Sequence, residues 1–189
     1  MMPNVYDFDK TVVYPDSTAA FYRFCLRRHP KLLRRAPEQL RALVRYYAGV
    51  ITKTHAKADF YAFLRDLPDW RAEVALFWRR KGPAMLKPWY LLQKRPDDII
   101  VSASPEFLLR PVCRQLGVRL VASRVDPATG VTEGENCHGQ EKVRRLRETF
   151  GNVGIDEFYS DARSDEPLAR LAKRAFLVKG DRRIPWDGN

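Results

Sequence analysis

The ten residues Asn4–Val13, NVYDFDKTVV, set two carboxylates, Asp7 and Asp9, directly behind a short apolar run, with one phenylalanine between them. Residues 4–10 read as a short buried strand, with Val5, Tyr6 and Phe8 as its apolar part. Like charges this close repel, so the rest of the chain has to offset the repulsion or use it. A carboxylate after a strand is also a common turn or cap residue, so the stretch acquires meaning only from what surrounds it.

Moving outward, the texture changes twice. Residues 16–81 carry almost no strand signal. DSTAAFYRFCLRRH opens on cap-like Asp16 and Ser17, with Phe21, Phe24 and Cys25 at helical spacing; PEQLRALVRYYAGVITKT sets Leu40, Leu43, Val44 and Tyr47 on one face. KADFYAFLRDL and PDWRAEVALFWRRKG continue the pattern, and Gly82-Pro83 predicts the end of the last helix. Four or five helices are expected here. Beyond Arg95, strands and helices alternate: DDIIVSAS, PEFLLRPVCRQLG, VRLVAS, GQEKVRRLRETFG, IDEFYSD, EPLARLAKR and AFLVKG, then LVKGDRRIPW as a hairpin turning at Gly180-Asp181. Such alternation with short connections predicts an α/β fold: a Rossmann-like, three-layer parallel sheet with helices on both faces. The first strand belongs to that sheet by character. The predicted organisation is a core of residues 1–14 and 96–189, interrupted by an all-helical insertion over 15–95.

A chain of 189 residues is long enough to bury a core without disulfides. Its three cysteines, Cys25, Cys113 and Cys137, are dispersed and odd in number, which argues for a reducing compartment. With neither a basic-then-apolar leader nor an apolar run near 20 residues, a soluble cytoplasmic protein is expected. The net charge of +11 is not spread evenly: residues 15–95 hold 18 Lys+Arg and 6 Asp+Glu, a net of +12, and the remainder nets −1. The helical segment therefore carries the whole excess. Its basic clusters, RRHPKLLRR (27–35) and RRK (79–81), lie among Tyr46, Tyr47, Trp70, Phe77, Trp78 and Trp89. They read as a solvated basic face over an aromatic core; a lid attracting anionic substrates, a lipid surface or a nucleic-acid end are the alternatives.

In open α/β sheets ligands bind beyond the carboxyl ends of the strands. Asp7 and Asp9, Ser102 and Ser104, and Asp161 and Asp165 all fall at such ends, and Lys142 starts a helix. Four acids, a hydroxyl and an ammonium converging on one edge suit phosphoryl chemistry. A hard cation such as Mg²⁺ takes oxygen ligands. A carboxylate can act as nucleophile, a second acid can move protons, and Lys and Ser can hold phosphoryl oxygens. Other leads fail. Gly134 and Gly139 are spaced as in a P-loop, but Gln140 and Glu141 follow in place of Lys and Ser/Thr. Cys137-His138 has no second metal-binding pair, and all three His read as surface or packing residues.

The ordered set resembles the haloacid dehalogenase-like (HAD) superfamily. DFDKT (7–11) matches its Asp-x-Asp-x-Thr motif, IIVSAS (99–104) its strand ending in Ser or Thr, Lys142 its motif Lys, and SDARSD (160–165) its Asp pair four residues apart. The helical insertion sits where this superfamily carries a C1 cap, and is similar to that of phosphoserine phosphatase and its relatives. The resemblance implies a Mg²⁺-dependent phosphatase acting through an aspartyl-phosphate. Asp7 is the implied nucleophile and Asp9 the general acid and base. Thr11 holds the turn and the phosphate site, and Ser102 binds a phosphoryl oxygen. Lys142 offsets charge. Asp7, Asp161 and the backbone carbonyl of Asp9 form the metal site, which Asp165 completes or orients. The expected partner is a small phosphorylated substrate, with no nucleic acid. Contact with a membrane surface, to reach a lipid head-group phosphate, is the less favoured alternative, and a non-catalytic phosphate- or nucleic-acid-binding protein on the same fold is another. The chain departs from phosphoserine phosphatases in having Lys10 where they carry Ser, and Asp16 where they carry a Glu that contacts the substrate amine. Asp16 reads equally as a helix cap. Arg65, in DFYAFLR, is the implied counterpart of an Arg that grips a substrate carboxylate, and reads equally as a solvated residue.

Overall fold

Alternating side chains along three central strands build two cores at once. A computed structural model describes residues 2–186. Its six strands are β1 (Val5–Tyr6), β2 (Ile99–Pro105), β3 (Arg119–Ser123), β4 (Ile155–Ser160), β5 (Ala172–Lys179) and β6 (Arg182–Pro185), in the order β3-β2-β1-β4-β5-β6. All neighbours are parallel except the β5–β6 hairpin. Val5 lies opposite both Ile99 and Phe158. Val5, Ile99, Val101 and Phe158 face one apolar cluster, while Tyr6, Ile100 and Tyr159 face the other. That is the period of two expected of a strand, and burial on both faces explains the near-continuous apolar runs.

Helices cover both faces, giving three layers. On one face α7 (Gln140–Phe150) contributes Val143 and Leu146, and the short α8 (Glu166–Ala169) contributes Leu168. On the other, α6 (Glu106–Leu116) contributes Leu108, Leu109 and Val112. The block between β1 and β2 is helical as expected: α1 (Ser17–Arg28), α2 (Ala36–Tyr47), α3 (Lys53–Tyr61), α4 (Trp70–Met85) and α5 (Pro88–Gln93), with 3₁₀ turns at Pro30–Arg35 and Ala62–Asp66. Phe21 and Phe24 of α1, Phe77 and Trp78 of α4, and Tyr90 of α5 join the cluster that holds Tyr6, so apolar packing runs unbroken from the sheet into the inserted helices. The Trp78 indole donates to the Leu108 carbonyl at 2.6 Å, tying α4 to α6. The predicted outer limits of the core, residues 1 and 189, lie outside the described residues.

Three local expectations are corrected. The first strand is Val5–Tyr6, shorter than expected: the chain turns at Phe8, whose carbonyl accepts from the backbone N–H groups of Thr11, Val12 and Val13. α4 does not stop at Gly82-Pro83 but continues to Met85, closed by Leu86 N–H donating to the Gly82 carbonyl at 3.1 Å. The helix expected over EPLARLAKR ends at Ala169, and Ala172 and Arg174 already pair with Ile155 and Glu157. Sheet pairing overrides the helical propensity of LARLAKR. Of the basic-cap aromatics, Phe77, Trp78 and Trp89 are buried, whereas Tyr47 is exposed. Arg28 and His29 pair with Glu73, and Arg35 with Asp66 and Glu38. Among the described residues no helix is long and apolar enough to cross a membrane.

Candidate active site

β1 sits where the strand order reverses, with β2 and β3 on one side and β4 and β5 on the other. The carboxyl ends of strands diverge there, leaving a crevice. A cleft of about 270 Å³ occupies it, lined by Asp7, Asp9, Ser102, Lys142, Asp161 and Asp165, together with Lys10, Asp16 and His138. Seven of the predicted site residues, Asp16 among them, thus meet at one place although up to 158 positions separate them in sequence (Asp7 to Asp165).

The backbone N–H of Asp7 donates to the Tyr159 carbonyl at 2.8 Å, extending β1–β4 pairing into the site. Lys142 stands in the first turn of α7, 2% exposed. Its ammonium donates to Asp7 Oδ1 and to Asp165 Oδ2, each at 2.6 Å. The Ser160 hydroxyl donates to the same Asp165 oxygen at 2.7 Å. Burial raises the Asp7 carboxyl to about 7; Lys142 works against that shift and Asp165 with it. Burial alone would lower Lys142, but the Asp7 and Asp165 carboxylates more than reverse this and hold it as an ammonium.

Asp9 is held differently, and both its oxygens are engaged. Oδ1 accepts from the Ser17 backbone N–H at 2.8 Å, and Oδ2 from the Ser104 hydroxyl at 2.5 Å. Burial raises its pKa, with Asp16 adding to the effect and the Ser104 and Ser17 hydrogen bonds opposing it. Asp9 therefore stands apart from the Asp7–Lys142–Asp165 network, on the side of the inserted helices. Directly after Asp9, Lys10 adopts φ +56°, a left-handed conformation uncommon for a residue with a Cβ. Beneath it, the buried Lys87 ammonium donates to the carbonyls of Lys10 and Gly180, each at 2.5 Å.

The remaining predicted residues fall as follows. The Ser102 hydroxyl accepts from Ser104 N–H at 3.1 Å and is buried at the cleft wall. Asp161 lines the cleft, half-buried; burial raises its pKa against the opposing charge of Lys10. Asp16 is the N-cap of α1, accepting from Ala19 N–H at 2.8 Å, and also faces the cleft. Thr11 is fully buried behind the loop, does not line the cleft, and its hydroxyl has no hydrogen-bond partner among the described residues. Arg65 is not brought to the cleft either: its guanidinium donates to the Thr129 carbonyl. His138 lies at the cleft, not merely on the surface.

A second cavity of about 330 Å³ adjoins the first and shares Asp9, Asp16 and Ala103 with it. Thr18, Ala19, Lys57, Phe60, Tyr61 and Ser104 complete its walls. Sequence reasoning missed Lys57, whose ammonium donates to the Ala103 carbonyl at 2.8 Å and to Asn136 Oδ1 at 2.7 Å, joining α3 to the end of β2. No sequence signal marks it among the many basic residues of the insertion.

Hard oxygen donors for a divalent cation are present in Asp7, Asp161 and the backbone carbonyl of Asp9. Among the described residues no group of three or more His, Cys, Asp or Glu side chains is arranged to hold a metal alone. Mg²⁺ commonly takes one or two carboxylates and completes its shell with water and phosphate oxygens, so this donor set fits it. Both side-chain oxygens of Asp9 accept hydrogen bonds, while the Lys142 and Ser160 contacts of Asp165 both fall on its Oδ2.

Comparison with known proteins places this geometry in a family. The chain is 30% identical to Protein CicA of Caulobacter vibrioides over 198 residues, spanning 88% of this chain and 81% of that protein. It is 23% identical to a histidinol-phosphatase of Neisseria meningitidis serogroup C, over 94% of this chain and 90% of that protein. Its fold is similar to a substrate-bound phosphoserine phosphatase, with a TM-score of 0.62 at 16% identity, covering 93% and 85% of the two chains. The family model described as haloacid dehalogenase-like hydrolase matches residues 5–170, from β1 to the end of α8, and the chain belongs to that family.

Proposed function

We propose that this chain is a phosphatase that hydrolyses phosphomonoesters through an aspartyl-phosphate on Asp7. The observation that carries the reading is the division of labour between the two acids. Burial raises both carboxyls, but Asp7 is bound to a buried ammonium, whereas Asp9 is held apart by the neutral donors of Ser17 and Ser104. A carboxylate whose charge is offset by a bound cation suits attack on phosphorus; a buried carboxyl held by neutral donors suits proton transfer.

In the first step an Asp7 oxygen bonds to phosphorus as the ester P–O bond breaks, and Asp9 gives its proton to the departing oxygen. In the second, Asp9 takes a proton from water as that water attacks the phosphorus, releasing phosphate and restoring Asp7. Lys142 offsets the charge on Asp7 and the phosphoryl group, with Asp165 and Ser160 fixing its position. The Ser102 hydroxyl, whose oxygen already accepts from Ser104 N–H, has its proton left for a phosphoryl oxygen. Asp7, Asp161 and the Asp9 carbonyl would hold Mg²⁺, whose contribution when bound is to neutralise phosphoryl charge. Thr11 supports the turn from behind.

Residues 15–95 would act as a helical cap over a core of 1–14 and 96–189, gating the cleft and excluding water. The three cysteines are buried and free, which supports a reducing setting such as the cytoplasm. The name of the histidinol-phosphatase relative supports a small phosphorylated substrate. The position of Arg65, bonded to Thr129 away from the cleft, weighs against a substrate gripped by its carboxylate in the manner of phosphoserine. Hydrolysis of an aryl phosphate with and without Mg²⁺ tests the reading. Activity is expected to vanish in Asp7→Asn and Asp9→Asn and with chelator; activity that survives Asp7→Asn overturns it.

A further inference from the structure

Helix α2 turns an apolar face outward. Leu40, Leu43, Val44 and Tyr47, spaced i, i+3, i+4, i+7, are 62%, 48%, 60% and 78% exposed. The inner edge of this face borders a groove of about 660 Å³ between α1, α2 and α3, walled by Tyr22, Leu26, Leu40, Leu43 and Phe60. A volume of this order accommodates an organic ligand. Lys57 and Phe60 line this groove and also the cavity beside Asp9 and Ser104. The apolar groove therefore adjoins the cavity beside the polar cleft along one side of α3, with ammonium groups towards one end and hydrocarbon side chains towards the other.

We propose that the groove receives the hydrocarbon chain of an amphiphilic phosphomonoester whose phosphate is processed at Asp7. This rests on the phosphatase reading above and assigns its substrate class. Adjacency at Lys57 and Phe60 is what selects this occupant: a ligand with an anionic head and an apolar tail matches both ends, while a wholly polar metabolite leaves the groove unused.

The test compares butyl and octyl phosphate below their micellar concentrations. Binding is measured by calorimetry on the intact chain with chelator present, and hydrolysis with Mg²⁺. A buried methylene contributes about 0.8 kcal/mol, roughly a fourfold gain in affinity, so octyl phosphate is expected to bind at least tenfold tighter than butyl phosphate. Leu43→Asp and Leu40→Asp, both at exposed positions, are expected to bring the octyl-to-butyl ratio towards one. Equal affinities for the two esters, or a ratio untouched by both substitutions, overturn the proposal. Turnover of both esters with no chain-length gain overturns it while leaving the phosphatase reading in place. A chain-length gain in binding without turnover of either ester overturns the phosphatase reading, and with it the substrate assignment. Self-association that Leu43→Asp abolishes gives the face to a second copy of this chain and also overturns the proposal.

Discussion

Replacing Lys142 with methionine keeps the length of the side chain and deletes its charge. In the intact protein one ammonium, 2% exposed, serves Asp7 and Asp165 at 2.6 Å each. Removing one partner of a buried ion pair typically costs 3–5 kcal/mol, because the other charge stays behind unpaired. Here two carboxylates lose the same partner, so the loss at pH 7.5 is expected at the upper end, about 5 kcal/mol. The sign of the pH dependence follows from Asp7. Burial already holds its carboxyl up to about 7, and without the opposing Lys142 it moves higher. Between the ordinary aspartate range near 4 and that raised value, the folded variant keeps a proton that the unfolded chain has released. Stability then falls as pH rises, by about 1.4 kcal/mol per pH unit for one retained proton. Urea unfolding in chelator from pH 5 to 9 measures this: Asp7 of the intact chain also keeps its proton up to about 7, so the two stabilities fall in parallel below pH 7 and the gap widens only above it, by about 1.4 kcal/mol per pH unit. A variant within 1 kcal/mol of the intact chain at pH 7.5, or a gap that narrows above pH 7, refutes the reasoning. Turnover of an aryl phosphate should drop at least about a hundredfold, the usual cost of losing a group that stabilises transition-state charge.

Four further outcomes are expected. Lys87→Met leaves the Lys10 and Gly180 carbonyls without their buried donor; it should cost about 1–3 kcal/mol in urea unfolding and lower kcat, since Lys10 is the residue between the acid pair and the turn. Ser104→Ala removes a hydrogen bond that holds the Asp9 pKa down; Asp9 then keeps its proton to higher pH, so the alkaline limb of kcat/KM should move upward, and a limb that stays or moves down contradicts the assignment of Asp9 as the acid. Gly130 has φ +75°, and a Cβ there would meet the Tyr61 carbonyl carbon at 2.9 Å, whereas Gly117, at φ +71°, has nothing within 4 Å; Gly130→Ala should destabilise by more than about 2 kcal/mol and Gly117→Ala by about 1 kcal/mol. Mg²⁺ at a hundred times its Kd should stabilise the folded chain by about 2.7 kcal/mol, and Asp161→Asn should abolish that gain in thermal unfolding.

The sequence carried the sheet and the cleft because their signals are local. Ile99-Ile100-Val101 is apolar without interruption, as a strand covered on both faces must be, and the acids stand where such strands end. It carried less where tertiary partners decide. Ala172–Arg174 looks helical alone and becomes strand because β4 offers it an edge. α4 passes through Pro83 because Trp78, Gly82 and Met85 are buried on either side of it. Ser104 was visible only as a small residue after a strand; its grip on Asp9 spans 95 positions and leaves no trace in spacing. Arg65 matched by neighbourhood, yet Thr129, from a loop 64 residues away, claims its guanidinium. The division into cap and core followed a change in composition, whereas the apolar cluster crosses that line without a gap.

The central position of β1 governs when this centre comes into being. Val5 has no strand to pair with until Ile99 and Phe158 exist, and Asp7 meets its ammonium 135 residues downstream. Contacts this distant in sequence form slowly, since long loops have to close first. On an emerging nascent chain the acid pair therefore leaves the ribosome early and stays chemically idle, because Lys142 and Asp165 come from the last third of the chain. Assembly of the centre reports completed folding, and a chain truncated before β4 would display the acid motif with no capacity to use it.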